Sequence, residues 1–411
     1  LNHGQAETLT MSTEASIEQS GIVETIREAV AAGHAIYPLG GGTAADFGLP
    51  PKMPGHELPT AGLDRVIDYP SRDMTITVEA GVTLQTLAEL LATEGQRLPI
   101  DAADAERATL GGLVDTNFSG PRRYGCGTIR DYVIGVSAVD GRGTLFKAGG
   151  RVVKNVAGYD FCKLLTGSLG TLAVLTQVTL KLKPIPEADA LLACRVSSFE
   201  QAERLLAALG TSATTPTAIE LLVGQSAFLW PAETGVAELV VGFEGTRNEV
   251  DWMIETLTNE WYAQDVESVL VLDDPTLTPD VWQRLTALAT GDDEAPLVVK
   301  ANMRPSAVCG FIDTVKLAAP RCRIQAHAGS GAVVVVVDEV PAVGASKFVI
   351  QHLRPAAQHG GGHAVVWSSS ADDLTRQVIW GPSPSGFAAM QAVKRQFDPQ
   401  GLLNPGRYYF A

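Results

Sequence analysis

Cysteine is scarce and scattered in this chain of 411 residues. The five cysteines, Cys126, Cys162, Cys194, Cys309 and Cys322, never stand two or three residues apart. Single-chain metal and cluster sites draw on closely spaced thiolates, so the spacing argues against a zinc or iron–sulfur centre made by this chain alone. No metal site is expected. An odd number of separated thiols suits a reducing, cytoplasmic setting. Positive charge is also in deficit. The 31 basic residues face 46 acidic ones, for a net charge of −15, which argues against nucleic acid as the main partner. No apolar run approaches the ~18 residues that a membrane span needs. The longest candidate, Ala332 to Val337, has the length of a buried strand, so no transmembrane segment is expected. Neither Gly-x-Gly-x-x-Gly nor a lysine-bearing P-loop is indicated. The polar residues Leu1 to Thr10 lack a signal-peptide core, precede Met11, and are left out of the fold reading.

Glycine, by contrast, is plentiful: 41 of 411 residues, about 10% against a usual ~7%. Apolar residues at 45% and charged residues at 19% describe a globular chain long enough for two or three domains. Ile17 to Ala32 reads as an amphipathic helix on the stripe Ile17, Ile22, Ile26 and Val30. Strands are expected at Ala35–Leu39 and Met74–Glu79, and Thr83 caps a helix with Leu84, Leu87, Leu90 and Leu91 inward. Tyr132–Val139 and Thr144–Lys147 flank the hairpin signature Asp140 to Gly143, and Thr171–Leu182 is a long β-rich run. The pair Pro184 and Pro186 marks a domain boundary. Beyond it, helices at 199–209, 248–262, 279–288, 305–317 and 343–358 alternate with strands near 219–223, 238–243, 297–301, 323–327 and 333–337. A last helix covers Ser385–Phe397. No internal repeat is detectable. The fold class is α+β, with a second domain built on an antiparallel sheet. The expected domains are 12–186, 187–395, and a tail 396–411 returning to the first.

Chemistry is written first in Pro38-Leu39-Gly40-Gly41-Gly42-Thr43, a strand running into three glycines and a hydroxyl. Such a loop lets main-chain N–H groups converge on a phosphate with no Cβ in the way. Taken alone, the triplet reads first as a flexible turn. The second signal is the segment Gly111–Gly170, where 13 glycines alternate with hydroxyl and amide residues between apolar strands. That texture suggests backbone wrapped around a large polar–aromatic ligand.

These residues carry a resemblance. Pro38–Thr43 resembles the pyrophosphate loop of the FAD-binding fold of the vanillyl-alcohol oxidase and p-cresol methylhydroxylase type. Ala108-Thr109-Leu110-Gly111-Gly112, Tyr124-Gly125, Arg130-Asp131, Lys154 to Asp160 and Gly167 to Leu172 match further blocks in the same order. Asp398 to Arg407 is similar to the terminal motif of the FAD-linked 2-hydroxy-acid oxidase branch. Lys154 to Leu165 and Gly360 to Val366 resemble the FAD-binding subunit family of bacterial glycolate oxidase complexes. The resemblance implies non-covalent FAD and oxidation of a small 2-hydroxy acid, glycolate to glyoxylate. It also implies two partners, a catalytic FAD subunit and an iron–sulfur subunit, with any membrane association made through them. The FAD-contacting positions it implies are Leu39, Gly40, Gly41, Gly42, Thr43, Ala44, Ile100, Thr109, Leu110, Gly111, Gly112, Thr116, Ser119, Gly120, Tyr124, Gly125, Arg130, Gly170, Val174 and Asn404.

Two departures bear on chemistry. Catalytic relatives carry His-x-His-x-Gly-Asp-Gly-Asn where this chain has Gln325-Ala326-His327-Ala328-Gly329-Ser330-Gly331-Ala332, and Leu169 stands where relatives often carry Glu. His327 is either a base for the substrate hydroxyl or a satisfied histidine at a strand end. Arg304 is either a bidentate clamp for a carboxylate or a solvated helix-start arginine. His363 reads as structural or interfacial, and Cys126 as a small buried hydrophobe rather than a flavin attachment point. Arg122, Arg123 and Arg130 either neutralise a diphosphate, face an acidic partner, or lie in a solvated loop, with Arg130 and Asp131 a local ion pair. Three functions stay open: a subunit of a glycolate-oxidising complex, a self-sufficient D-lactate or 2-hydroxy-acid dehydrogenase, and a non-catalytic stabilising subunit.

Overall fold

A computed structural model describes residues 18–48, 50–51, 53–151, 158–230, 236–288, 295–371 and 374–409. Ile17 of the first helix and residues 154–157 of the glycine-rich motif lie outside the described residues. The described chain divides into two compact units. Residues 18–118, 128–185 and 382–409 form the first, and residues 119–127 and 186–381 form the second.

The first unit contains helix α1 (Gln19–Ala32), helix α2 (Leu84–Ala92) and helix α3 (Leu110–Thr116). Its strands are β1 (Ala35–Leu39), β2 (Gly55–Pro59), β3 (Val66–Asp68), β4 (Thr75–Glu79), β5 (Gln96–Arg97), β6 (Val133–Asp140), β7 (Leu145–Gly149), β8 (Ala173–Lys181) and β9 (Lys183–Pro184). Five of them form one antiparallel sheet in the order β3-β4-β8-β6-β7, while β1 and β2 pair in parallel. The α1 stripe Ile22 and Ile26 packs with Ile36, Leu58, Val139, Val174 and Leu403 in one core. Each such fully buried side chain contributes about 1.5–3 kcal/mol.

The C-terminal helix Phe387–Phe397 belongs to this first unit, not to the second as its place in the sequence suggested. A buried polar knot explains why. Lys394 Nζ donates to the carbonyls of Thr171 at 2.6 Å and Leu403 at 3.1 Å, and to Asp398 Oδ2 at 2.6 Å. The fully enclosed Asp398 carboxylate also accepts the N–H groups of Leu402 and Leu403. Leu403 then bridges in parallel to Ile36 of β1.

The second unit is an eight-stranded antiparallel sheet of strands β10 (Ala188–Val196), β11 (Ala218–Val223), β12 (Ala237–Gly245), β13 (Val269–Leu272), β14 (Leu297–Asn302), β15 (Arg323–His327), β16 (Ala332–Val337) and β17 (His363–Ser369). Their order, β13-β10-β12-β11-β15-β16-β14-β17, shows a repeat that the sequence does not. Each half runs strand, helix, strand, strand, helix, strand, a split βαβ pattern. Helices Phe199–Leu209 and Arg247–Tyr262 serve one half; helix Val308–Ala318 and the helical stretch 345–359 serve the other. The halves join where β11 meets β15, the second strand of each.

Two further differences have local causes. The single helix expected over 343–358 is an α-turn at Ala345–Phe348, a π-turn at Val349–Leu353 and a helix at Arg354–His359. Pro355 has no N–H to continue the ladder, and the wider turn just before it absorbs the mismatch. Residues 119–127 leave the first unit because Arg122 Nε donates to Glu244 at 2.6 Å and its guanidinium stacks 3.7 Å over Trp282.

Removing the Asp398 carboxylate strands Lys394 in a buried position. Asp398→Ala should therefore cost about 3 kcal/mol or more of the first unit's stability, and Asp398→Asn less, measured by urea unfolding.

Candidate cofactor and substrate sites

A cavity of about 370 Å³ opens within the first unit. One wall is the loop that follows β1, and the facing wall is the start of α3. Thr109 caps that helix, its Oγ1 accepting the Gly112 N–H at 3.3 Å. The next N–H groups of the helix start are spent within the fold, Leu110 donating to the Val82 carbonyl at 2.9 Å and Gly111 to the Ala80 carbonyl at 2.7 Å. The glycines of the loop serve the chain itself before any ligand. A Cβ at Gly41 would sit 1.6 Å from the Arg107 carbonyl oxygen, and one at Gly40 would sit 2.4 Å from Thr109 Oγ1. Gly42 adopts φ +75°, a conformation that L side chains rarely take. Only side-chain-free residues let the loop and residues 107–109 close on each other.

The remaining walls come from the β8 entry and the C-terminal segment: Leu169, Gly170, Val174, Asn404 and Arg407. Asn404 Nδ2 donates to the Leu169 carbonyl at 2.7 Å, and Arg407 Nη1 donates to the Phe47 carbonyl at 3.2 Å. Asp115 of α3 also faces the cavity. Burial pushes its pKa from 3.8 to about 7, although the Ser168 hydroxyl and the Gly170 N–H both favour the carboxylate. Asp115 and Arg407 were not singled out from sequence. Arg407 closes a motif that was recognised, whereas Asp115 looks like any polar residue near a helix end.

In the second unit a polar row crosses the sheet. Register pairs Glu220 with His327, His327 with Ala332, Ala332 with Asn302, and Asn302 with His363. Directly paired residues share a face. His327 Nδ1–H donates to Glu220 Oε1 and Oε2 at 2.8 and 2.9 Å, and Gln325 Nε2 donates to Oε2 at 2.8 Å. His327 is 2% exposed, and its Nε2 has no hydrogen-bond partner. Lys300, in the adjacent row, lies 4.6 Å from the centroid of the Trp367 ring. Burial, then the charge of Arg123, lowers its ammonium to about 8.

Thirteen of the expected cofactor positions line the cavity: Leu39, Gly40, Gly41, Gly42, Thr43, Ala44, Thr109, Gly111, Gly112, Thr116, Gly170, Val174 and Asn404. Leu110 is instead fully buried in the core, because it points to the inner side of α3. Ile100 is half-buried and does not line the cavity. Arg130 is exposed, and its Nε reaches the Lys163 carbonyl at 3.5 Å. Asp131 accepts from the N–H and hydroxyl of Thr128 in a capping box rather than serving Arg130. Ser119, Gly120, Tyr124 and Gly125 fold with the second unit. There a Cβ on Gly125 would stand 2.7 Å from Thr217 Cα. Arg122 is held by Glu244 and Asp189, so it is no free partner for a diphosphate. Arg304 spends Nε and Nη2 on the carbonyls of Gly360 and His359, which makes it an anchor of that turn rather than a free carboxylate clamp.

A strand-to-glycine loop facing a capped helix start in one unit, and a sheet of duplicated topology as the other, define a flavoprotein of the FAD-linked oxidase class. Comparison with known families agrees. Residues 18–149 match the FAD binding domain, and residues 185–318 and 381–408 match the FAD linked oxidase C-terminal domain. The chain belongs to the FAD-linked oxidase family, and its cofactor is FAD. It is 26% identical to the glycolate oxidase subunit GlcD of Bacillus subtilis (strain 168), over 91% of this chain and 83% of that one. It is 34% identical to the glycolate oxidase subunit GlcE of Escherichia coli (strain K12), over 44% of this chain and 51% of that one. A D-lactate dehydrogenase of Anaerostipes hadrus is 28% identical over 84% of this chain and 78% of its own. Among solved structures, an alkyldihydroxyacetonephosphate synthase superposes with a TM-score of 0.69 over 94% of this chain and 74% of its own, at 16% identity, a likeness of fold. Among the described residues no helix is long and apolar enough to cross a membrane.

The residues present fit FAD. The glycine loop 40–43 would hold the diphosphate, with Arg407 in the wall of the same cavity. Each of these loop glycines keeps the backbone within reach of a ligand in the cavity, where a side chain would collide with residues 107–109 or strain the loop.

Gly41→Ala drives a methyl group into the Arg107 carbonyl. It should lower FAD affinity at least tenfold, read from the flavin absorbance retained per chain after gel filtration.

Proposed function

We propose that this chain is the FAD-binding subunit of a glycolate-oxidising complex. It works in the cytoplasm beside a larger catalytic FAD subunit and an iron–sulfur subunit and takes part in oxidising glycolate to glyoxylate. The observation that carries the reading is the buried pair His327–Glu220, with one imidazole nitrogen committed and the other unused. Two curated relatives named as glycolate oxidase subunits support the complex.

Bound FAD supplies a two-electron acceptor for the hydrogen on the hydroxyl-bearing carbon. The chain's own residues handle the proton and the substrate charge. Glu220 fixes His327 with its proton on Nδ1, so Nε2 presents a lone pair to a substrate hydroxyl. As that proton is taken up, the adjacent Glu220 carboxylate stabilises the imidazolium. Lys300 offers an ammonium to the substrate carboxylate. Its site stands about 10 Å from the His327 strand across the sheet, two strand spacings away.

The test is to purify the full chain alone and with the chains that accompany it in its native host, then add glycolate anaerobically. Bleaching of the flavin only in the assembled complex is the expected result. Bleaching by D-lactate in the isolated chain would replace this reading with a self-sufficient dehydrogenase. A flavin inert in both preparations would leave a stabilising subunit. His327→Gln should lower kcat by about 10²–10⁴ while FAD content is unchanged. Lys300 loses its charge as pH rises through about 8, so KM for the acid should climb above that pH. Lys300→Met should show the high KM already at neutral pH, in steady-state kinetics.

A further inference from the structure

Asp115 is an anomaly in a cavity that holds an anionic cofactor. Its carboxyl shares the walls with Gly41, Gly112 and Gly170, the main-chain surfaces that face the ligand. The Ser168 hydroxyl donates to Oδ1 at 3.2 Å, and the Gly170 N–H also bonds to the carboxyl. Oδ2 lies 3.8 Å from where a Cβ on Gly170 would be, a position that also stands 3.6 Å from Asn404 Nδ2 and 3.5 Å from Pro38 Cγ. The carboxyl is thus held by Ser168 and Gly170 in the wall of the cavity.

We propose that Asp115 couples FAD binding to proton uptake: it takes one proton from solvent as the cofactor enters and then donates a hydrogen bond to it. Two effects drive the uptake. FAD displaces the water that solvates a carboxylate in the open cavity, and its diphosphate adds negative charge to the same enclosure. Both disfavour the ionised form. A group whose pKa is higher in the complex than in the free protein binds a proton with the ligand, and affinity then falls as pH rises.

Other charged groups stand around Asp115, several of them in ion pairs, and His56 of β2 is bonded to His34 at 2.9 Å. The Ser168–Thr171 loop packed on α3 has no titratable side chain. Arg407 and Glu57 line the cavity, and an arginine stays protonated throughout. Tyr37, also in the wall, is raised above 10.0 by burial. Arg107 is paired with Asp104, Lys163 with Asp160, and Lys394 with Asp398. In the free protein Asp115 itself titrates near 7, where small changes in its surroundings alter its charge.

The test uses the full chain freed of flavin and titrated with FAD between about pH 6 and pH 9, following flavin fluorescence. Kd should be level at the acid end and rise towards about tenfold per pH unit above neutrality. Calorimetry at about pH 8, in two buffers of different ionisation enthalpy, should show uptake of close to one proton. Asp115→Asn should bind FAD with a flat profile, more tightly than the unaltered chain at the alkaline end. A flat profile or no proton uptake in the unaltered chain overturns the proposal without recourse to any variant. An unchanged slope in Asp115→Asn does the same, and in each of these cases FAD still binds and its assignment stands. Failure to bind FAD at any pH removes the cofactor assignment and this proposal together.

Discussion

The cofactor cradle depends on one close contact, the main chain of Gly40 and Gly41 lying directly on Arg107 to Thr109. Any side chain at Gly41 would occupy the Arg107 carbonyl. That contact brings the end of β1 against the start of α3, and the two together define the cavity. Thr109 then serves both partners, as the steric neighbour of Gly40 and as the cap of α3. The C-terminal segment closes the arrangement. Leu403 extends the β1 side, and Asn404 and Arg407 reach the cavity from a segment tied down by Lys394 and Asp398.

The second unit obtains its chemistry from its duplication. Glu220 and His327 occupy the two central strands, the equivalents of each other in the two halves, so the carboxylate and the imidazole meet where the halves join. The fully buried Glu220 collects both His327 Nδ1 and Gln325 Nε2. A carboxylate buried at that depth requires such donors. The same requirement fixes the imidazole tautomer and leaves Nε2 as the unspent atom.

Several glycine positions were legible in the sequence because their role is backbone geometry, which is local, whereas Gly120 and Gly125 fold with the second unit. The loop 40–42, the pair Gly111 and Gly112, and Gly170 all line the cavity. Arginines were the least legible. Arg122 and Arg304 carry the right charge for anions, yet each is consumed by partners far away in sequence, Glu244 and the Gly360 carbonyl. Asp115 and Lys300 were missed for the converse reason. Neither sits in a motif, and it is burial, joined at Lys300 by the charge of Arg123, that gives them unusual acidities. The repeat of the second unit was invisible because it is a repeat of topology, carried by buried apolar strands that differ residue by residue.

The sequence by itself determined the family, the cofactor loop and the α+β class, since these rest on short-range patterns of glycine, hydroxyl and apolar residues. The tertiary structure decided which charges are free and which are spent, and where residues 119–127 and 382–409 belong. It also decided that Glu220 is the partner of His327. Those outcomes depend on contacts between residues roughly fifty or more positions apart, and burial sets the strength of each such contact.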